Sequence, residues 1–170
     1  MSSPLDELLL WHDKQPDATI LRFIDEETST EHCLNLDQIL LRARALACAI
    51  TQHGKQDDII GLHLELEPNL YIAFYACWLA GRTPTVLNLT WSPEIRQKVL
   101  NRLDIKTILH TRLHPDLELE ETNLTIINID QAIASNIANA PSFEVRQEPF
   151  YALINQSSGT TGVPKVSFHT

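Results

Sequence analysis

Helix-like segments alternate along this chain with short apolar runs, and that alternation restricts its possible folds more than any other feature. The runs lie at 59–64, 83–89, 106–110, 124–129 and 150–154. Between them, the stretch beginning at Leu36 repeats apolar residues at helical spacing (Ile39, Ala43, Leu46, Ala47, Ile50), and residues 69–80 are apolar nearly all round. Residues 93–103 place Ile95, Val99, Leu100 and Leu103 on one face, and 130–139 also read as helix. Strands joined through helices need crossover connections, so the predicted sheet is largely parallel and covered on its faces. The expected class is α/β, with helices layered on a largely parallel, mixed sheet.

Local signals mark the boundaries. Ser3 followed by Pro4 predicts a helix start, with an end before Pro16, and residues 18–24 and 31–34 suggest a hairpin across the acidic turn from Asp25 to Ser29. Asn35 is placed to cap the next helix, with Gln38 reaching back from the third position, Leu34 stapling onto Ile39 and Gly54 as the stop. Gly81 should stop the 69–80 helix, and Ser92-Pro93 should open the one after it. Residues 139–148, with Pro141 and mixed charges, read as a surface linker, and no internal repeat or low-complexity tract is present.

The chemistry is concentrated in Gln156 to Lys165, QSSGTTGVPK, directly behind the last apolar run. Gly159 and Gly162 let backbone N–H groups turn toward a ligand without a Cβ in the way. The hydroxyls of Ser157, Ser158, Thr160 and Thr161 donate to oxygens that only accept, and the Lys165 ammonium offsets negative charge. A polyphosphate needs that mixture, although composition alone also suits a solvated connector. The string is not the G-x-x-x-x-G-K-(S/T) phosphate loop, which would require Gly at Pro164 and Ser or Thr at Val166.

The ordered string SSGTTGVPK resembles the signature loop of the adenylate-forming (AMP-binding) superfamily, close to (S/T)-S-G-(S/T)-T-G-x-P-K. That superfamily comprises acyl-CoA synthetases, peptide-synthetase adenylation domains and luciferases. Val166 departs from the glycine usual after the lysine. CLNLDQILLRARALACAI is similar to the family's L-T-Y-x-E-L helix opening, DDIIGLHL to its G-D-x-V-A-L strand, and ACWLAGRTPTVLN to its A-x-L-x-A-G-x-x-x-V-P-L-N turn. Asp57 stands where glycine is usual, and Asn35 and Asp37 also depart from the pattern. The resemblance implies that residues 1–170 are the N-terminal segment of an adenylation domain, with the phosphate-binding loop at 156–165.

It implies further that the parent reaction is ATP-dependent activation of a carboxylic acid to an acyl-adenylate, which then passes to the thiol of coenzyme A or a carrier protein, with ATP and Mg2+ required. Ser157, Ser158, Gly159, Thr160, Thr161, Gly162 and Lys165 would hold the phosphates. No catalytic residue and no metal ligand is assigned within the chain. The rest of the family's site, around the adenine, ribose and magnesium and including a C-terminal lysine, has no counterpart here. The competing expectation is therefore a catalytically inactive fragment or an interaction domain.

A composition of 44% hydrophobic and 21% charged residues is ordinary for a globular chain. The formal net charge of -9 argues against nucleic acid and anionic membranes as partners, because no surplus of Lys and Arg exists to track phosphates. The longest apolar run, Leu70 to Ala80, falls short of the about 20 residues a membrane helix needs. Cys33, Cys48 and Cys77 lack metal-like spacing and read as reduced thiols, and the N-terminus lacks a basic leader, so the expected location is cytoplasmic. The histidines show no uninterrupted paired spacing, no G-x-S-x-G elbow surrounds Ser157 or Ser158, and Tyr71, Phe74, Tyr75 and Trp78 read as core rather than acyl pocket.

Overall fold

A computed structural model describes residues 4–25, 29–53, 55, 58–111, 124–140, 153–157 and 165–169. Helix α1 (Pro4–Lys14) begins at its proline, where a missing N–H costs nothing, and ends before Pro16. A two-stranded antiparallel ribbon follows, β1 (Thr19–Asp25) with β2 (Thr30–Asn35), in which the register partners Phe23 and His32 stack with ring centroids 4.9 Å apart.

Helix α2 (Leu36–Thr51) opens on a complete capping box. Asn35 Oδ1 accepts from the Gln38 N–H at 2.8 Å, and Gln38 Oε1 accepts from the Asn35 N–H at 3.1 Å. Its other end differs from the sequence expectation. The helix closes at Thr51 with Gln52 in right-handed conformation as its C-cap, upstream of Gly54, which lies outside the described residues.

The remaining chain builds a six-stranded sheet, β3 (Ile59–His63), β4 (Thr83–Val86), β5 (Thr107–His110), β6 (Thr125–Asn128), β7 (Leu153–Ser157) and β8 (Lys165–His169), in the spatial order β6-β5-β3-β4-β7-β8. All neighbours are parallel except β8, which runs antiparallel to β7. Helix α3 (Pro68–Leu79) links β3 to β4, α4 (Pro93–Arg102) links β4 to β5, and α5 (Ile129–Asn136) follows β6, trailed by a 3-10 turn at Ile137–Asn139. Helix α3 ends on Gly81 at φ 65°, with the Arg82 N–H donating to the Cys77 carbonyl at 2.8 Å, the glycine stop read from the sequence.

The step from β3 to β4 goes one way along the sheet, and the step from β4 to β5 returns past β3. Right-handed crossovers then require α3 and α4 to lie on opposite faces. Burial agrees, because Ile60, Leu62, Leu109 and Ile127 share one core with α2 and α3, whereas Ile108 and Ile154 share a second with Leu87 and the α4 residues Val99 and Leu100. Gly61 faces this second core, where an added Cβ would stand 2.9 Å from Leu87 Cδ1. The sheet is therefore covered on both faces, as its near-continuous apolar strands require.

β3, β5 and β6 keep within one residue of the expected limits, and larger differences fall on β4, β7 and the chain after it. β4 stops at Val86, not 89, because Asn88 Oδ1 accepts from the Thr90 N–H at 2.9 Å and the Thr90 hydroxyl at 2.8 Å, turning the chain. β7 runs on to Ser157, and Lys165 opens a further strand. Most of the expected linker, 141–148, lies outside the described residues, as do 150–152 of the expected last strand. No helix among the described residues is long and apolar enough to cross a membrane.

Candidate functional site

Because the chain leaves the carboxyl ends of β3 and β4 toward opposite faces, a crevice opens between them, the place where open α/β sheets bind ligands. It has a volume of about 520 Å³ and is lined by residues 64–66 after β3, 86–91 at the end of β4 and beyond, and 154–156 of β7. Leu64, Leu87 and Ile154 form apolar wall, while Asn88, Thr90 and Gln156 bring polar groups. The wall is braced from below. Thr85 Oγ1 donates to the Ile154 carbonyl at 2.9 Å and accepts from Gln156 Nε2 at 2.9 Å.

The phosphate-type string begins at this wall. Its first residue, Gln156, lines the crevice, and the next, Ser157, is the last of β7. Backbone register pairs Gln156 with Val166 and Ser157 with Lys165, so residues 158–164 join β7 to β8 at the carboxyl end of the parallel sheet. The structure thus brings the first and last of the expected phosphate residues, Ser157 and Lys165, opposite one another through their backbones. Ser158, Gly159, Thr160, Thr161 and Gly162 lie outside the described residues.

The other polar groups belong to the scaffold. His63 and His110 are register partners on β3 and β5, both buried, and burial holds the His110 imidazole below the ordinary histidine range. His12 Nε2 lies 3.2 Å from Asp37 Oδ1, tying α1 to the start of α2. The Glu94 carboxyl is held below its usual range by hydrogen bonds from the Ser92 hydroxyl and a backbone N–H at the start of α4. Phe74, Tyr75 and Trp78 pack against the core shared by α2 and α3, not in the crevice, as the core reading of these aromatics requires, whereas Tyr71, expected in the core with them, is exposed on the outer side of α3. Cys33, Cys48 and Cys77 are free thiols, and burial pushes Cys77 up. Among the described residues no group of His, Cys, Asp or Glu is arranged to hold a metal ion.

Sequence reasoning placed Gln156 at the start of the loop but missed Thr85 and the bond between them. The period of two places Ile154 and Gln156 on one face of β7, which was a usable signal, but nothing local connects them to a threonine on another strand.

Comparison with known proteins follows the same lines. The model of the AMP-binding enzyme family matches residues 10–170. An uncharacterized protein of Schizosaccharomyces pombe is 34% identical over 106 residues, 62% of this chain and 10% of that protein. The 4-chlorobenzoate–CoA ligase of an Arthrobacter species is 24% identical over 168 residues, 94% of this chain and 31% of the ligase. In structure, the N-terminal subdomain of Klebsiella oxytoca NpsA in complex with 3-hydroxybenzoyl-AMSN superposes with a TM-score of 0.80 at 19% identity, covering 99% of this chain and 41% of that one, which shows a shared fold. The chain therefore spans less than half the length of each of these relatives, and it belongs to the AMP-binding enzyme family.

Proposed function

We propose that this chain supplies the phosphate-binding loop of an enzyme that activates a carboxylic acid with ATP. What supports this reading is that the two ends of QSSGTTGVPK meet at the carboxyl end of β7, where Gln156 lines the crevice and Ser157 is the register partner of Lys165. Residues 1–170 are, in this reading, the N-terminal segment of an adenylation domain.

In the reaction, a carboxylate oxygen of the acid attacks the α-phosphorus of ATP, the bond to the β-phosphate oxygen breaks, and pyrophosphate leaves with the negative charge. The chain's own part is positional and electrostatic. Gly159, Gly162 and backbone amides admit the β- and γ-phosphates, while Ser157, Ser158, Thr160 and Thr161 donate to their oxygens. Lys165 offsets charge on the departing pyrophosphate. The donor set suits phosphate, being rich in hydroxyls and amides and free of carboxylates. Mg2+ would be held by the phosphates themselves and would neutralise part of their charge. The acyl group then passes to a thiol, of coenzyme A or of a carrier protein. The free cysteines suit a reducing, cytoplasmic setting.

Carboxylate-dependent exchange of labelled pyrophosphate into ATP, measured for the full-length protein against a panel of aliphatic, aromatic and amino acids, tests this reading. Exchange dependent on one class of acid supports it. A folded, full-length protein that exchanges with none of them contradicts it.

A further inference from the structure

We propose that Thr85 and Gln156 are positioning residues that fix the end of β7, where the phosphate-type string begins, by tying β7 to β4. The inference rests on the phosphate-loop reading of residues 156–165 and goes beyond it, because neither residue belongs to the loop's set of phosphate donors.

Among the described residues, β4 meets β7 through the single register pair Thr85–Ile154, whereas β3 and β4 share four such pairs. A side chain of β4 adds to that pairing. Thr85 is fully buried, so its hydroxyl must be satisfied inside the protein. Its proton goes to the Ile154 carbonyl at 2.9 Å, which leaves its oxygen to accept from Gln156 Nε2 at 2.9 Å. That order fixes the Gln156 amide, since only its NH2 end can face a hydroxyl whose proton is committed. Gln156 Oε1 is thereby turned away from Thr85 and is buried without a partner among the described residues.

One hydroxyl therefore grips β7 at two points, Ile154 and Gln156, immediately before Ser157. A slip of β7 by one residue would break both bonds and turn Gln156 to the other face. Displacements of about 1 Å in groups that hold a reacting ligand are costly, so a tie at the root of the loop acts on the ligand without touching it.

Calorimetric titration of the full-length protein with MgATP and, separately, with AMP tests the tie, because AMP lacks the β- and γ-phosphates the loop would hold. Thr85→Val keeps the shape and removes the hydroxyl, Gln156→Leu removes the other partner, and Thr85→Ser restores the bonds. The expected result is MgATP binding about tenfold weaker in Thr85→Val and in Gln156→Leu, with AMP binding and the Thr85→Ser variant within about twofold of wild type. MgATP affinity within about twofold of wild type in both variants, or equal losses for MgATP and AMP, overturns the inference, the second outcome being that of a merely structural bond. If Thr85→Val does not fold, Gln156→Leu decides alone. Loss of MgATP binding in Lys165→Ala but in neither tie variant removes the tie and leaves the loop reading standing. A wild-type protein that binds neither nucleotide overturns both.

Discussion

Ser157 and Lys165 are register partners, the last residue of β7 opposite the first of β8. An antiparallel ladder fixes the two feet of whatever joins it, so the hydroxyl- and glycine-rich residues 158–164 are anchored at both ends on the sheet. The lysine is held through its backbone within one strand spacing of the serine.

The Asn35–Gln38 capping box satisfies two backbone N–H groups at the start of α2, the helix that packs against α3 beneath the sheet. Asn35→Ala should destabilise the protein by about 1 kcal/mol. Urea unfolding midpoints of the two proteins check this, and Asn35→Ser should recover most of the loss because serine caps about equally well.

Gly61 lies under Leu87 Cδ1, at 2.9 Å from the position of a Cβ, and Leu87 is itself fully buried between β4 and α4. Alanine would recover part of glycine's entropic cost, but overpacking a closed core outweighs that gain. Gly61→Ala is expected to cost about 1–2 kcal/mol in chemical denaturation. The pair Gly61→Ala with Leu87→Ala should lose less than the sum of the singles, because the methyl group in the way is gone.

His110 is buried beside His63, with Asn128 as its other register partner, and burial disfavours its charged form. The unfolded chain consequently takes up this proton at a pH where the folded protein does not. The stability associated with the neutral ring is fully present above the unfolded value of about 6.5 and is lost as pH falls below it toward the lower folded value. Unfolding midpoints should therefore drop between pH 7.5 and 5.5, and His110→Asn should flatten that drop. An identical pH slope in the variant would assign the loss to other groups.

What the sequence disclosed were features whose chemistry is local. The Asn35–Gln38 box, the positive-φ stop at Gly81 and the proline starts of α1 and α4 were all readable because each depends on residues within a few positions. The α/β class followed from the alternation of helix and strand signals. Strand limits were less legible, because pairing decides them: β7 extends through Gln156 and Ser157 since β8 supplies Val166 and Lys165 as partners, and no apolar run announces that. The crevice was invisible for the same reason, being assembled from the ends of β3, β4 and β7, and the Thr85–Gln156 bond joins residues 71 positions apart.

The central claim is that residues 156–165 bind the phosphates of ATP, and MgATP affinity in Lys165→Ala tests it most directly. A charge-assisted hydrogen bond to phosphate contributes about 1.5–3 kcal/mol, so the dissociation constant should rise by about 10- to 150-fold while the thermal midpoint stays near that of wild type. Lys165→Arg should fall between the two, keeping the charge but not the shape. MgATP affinity within about twofold of wild type in a folded Lys165→Ala protein would contradict the phosphate-loop assignment.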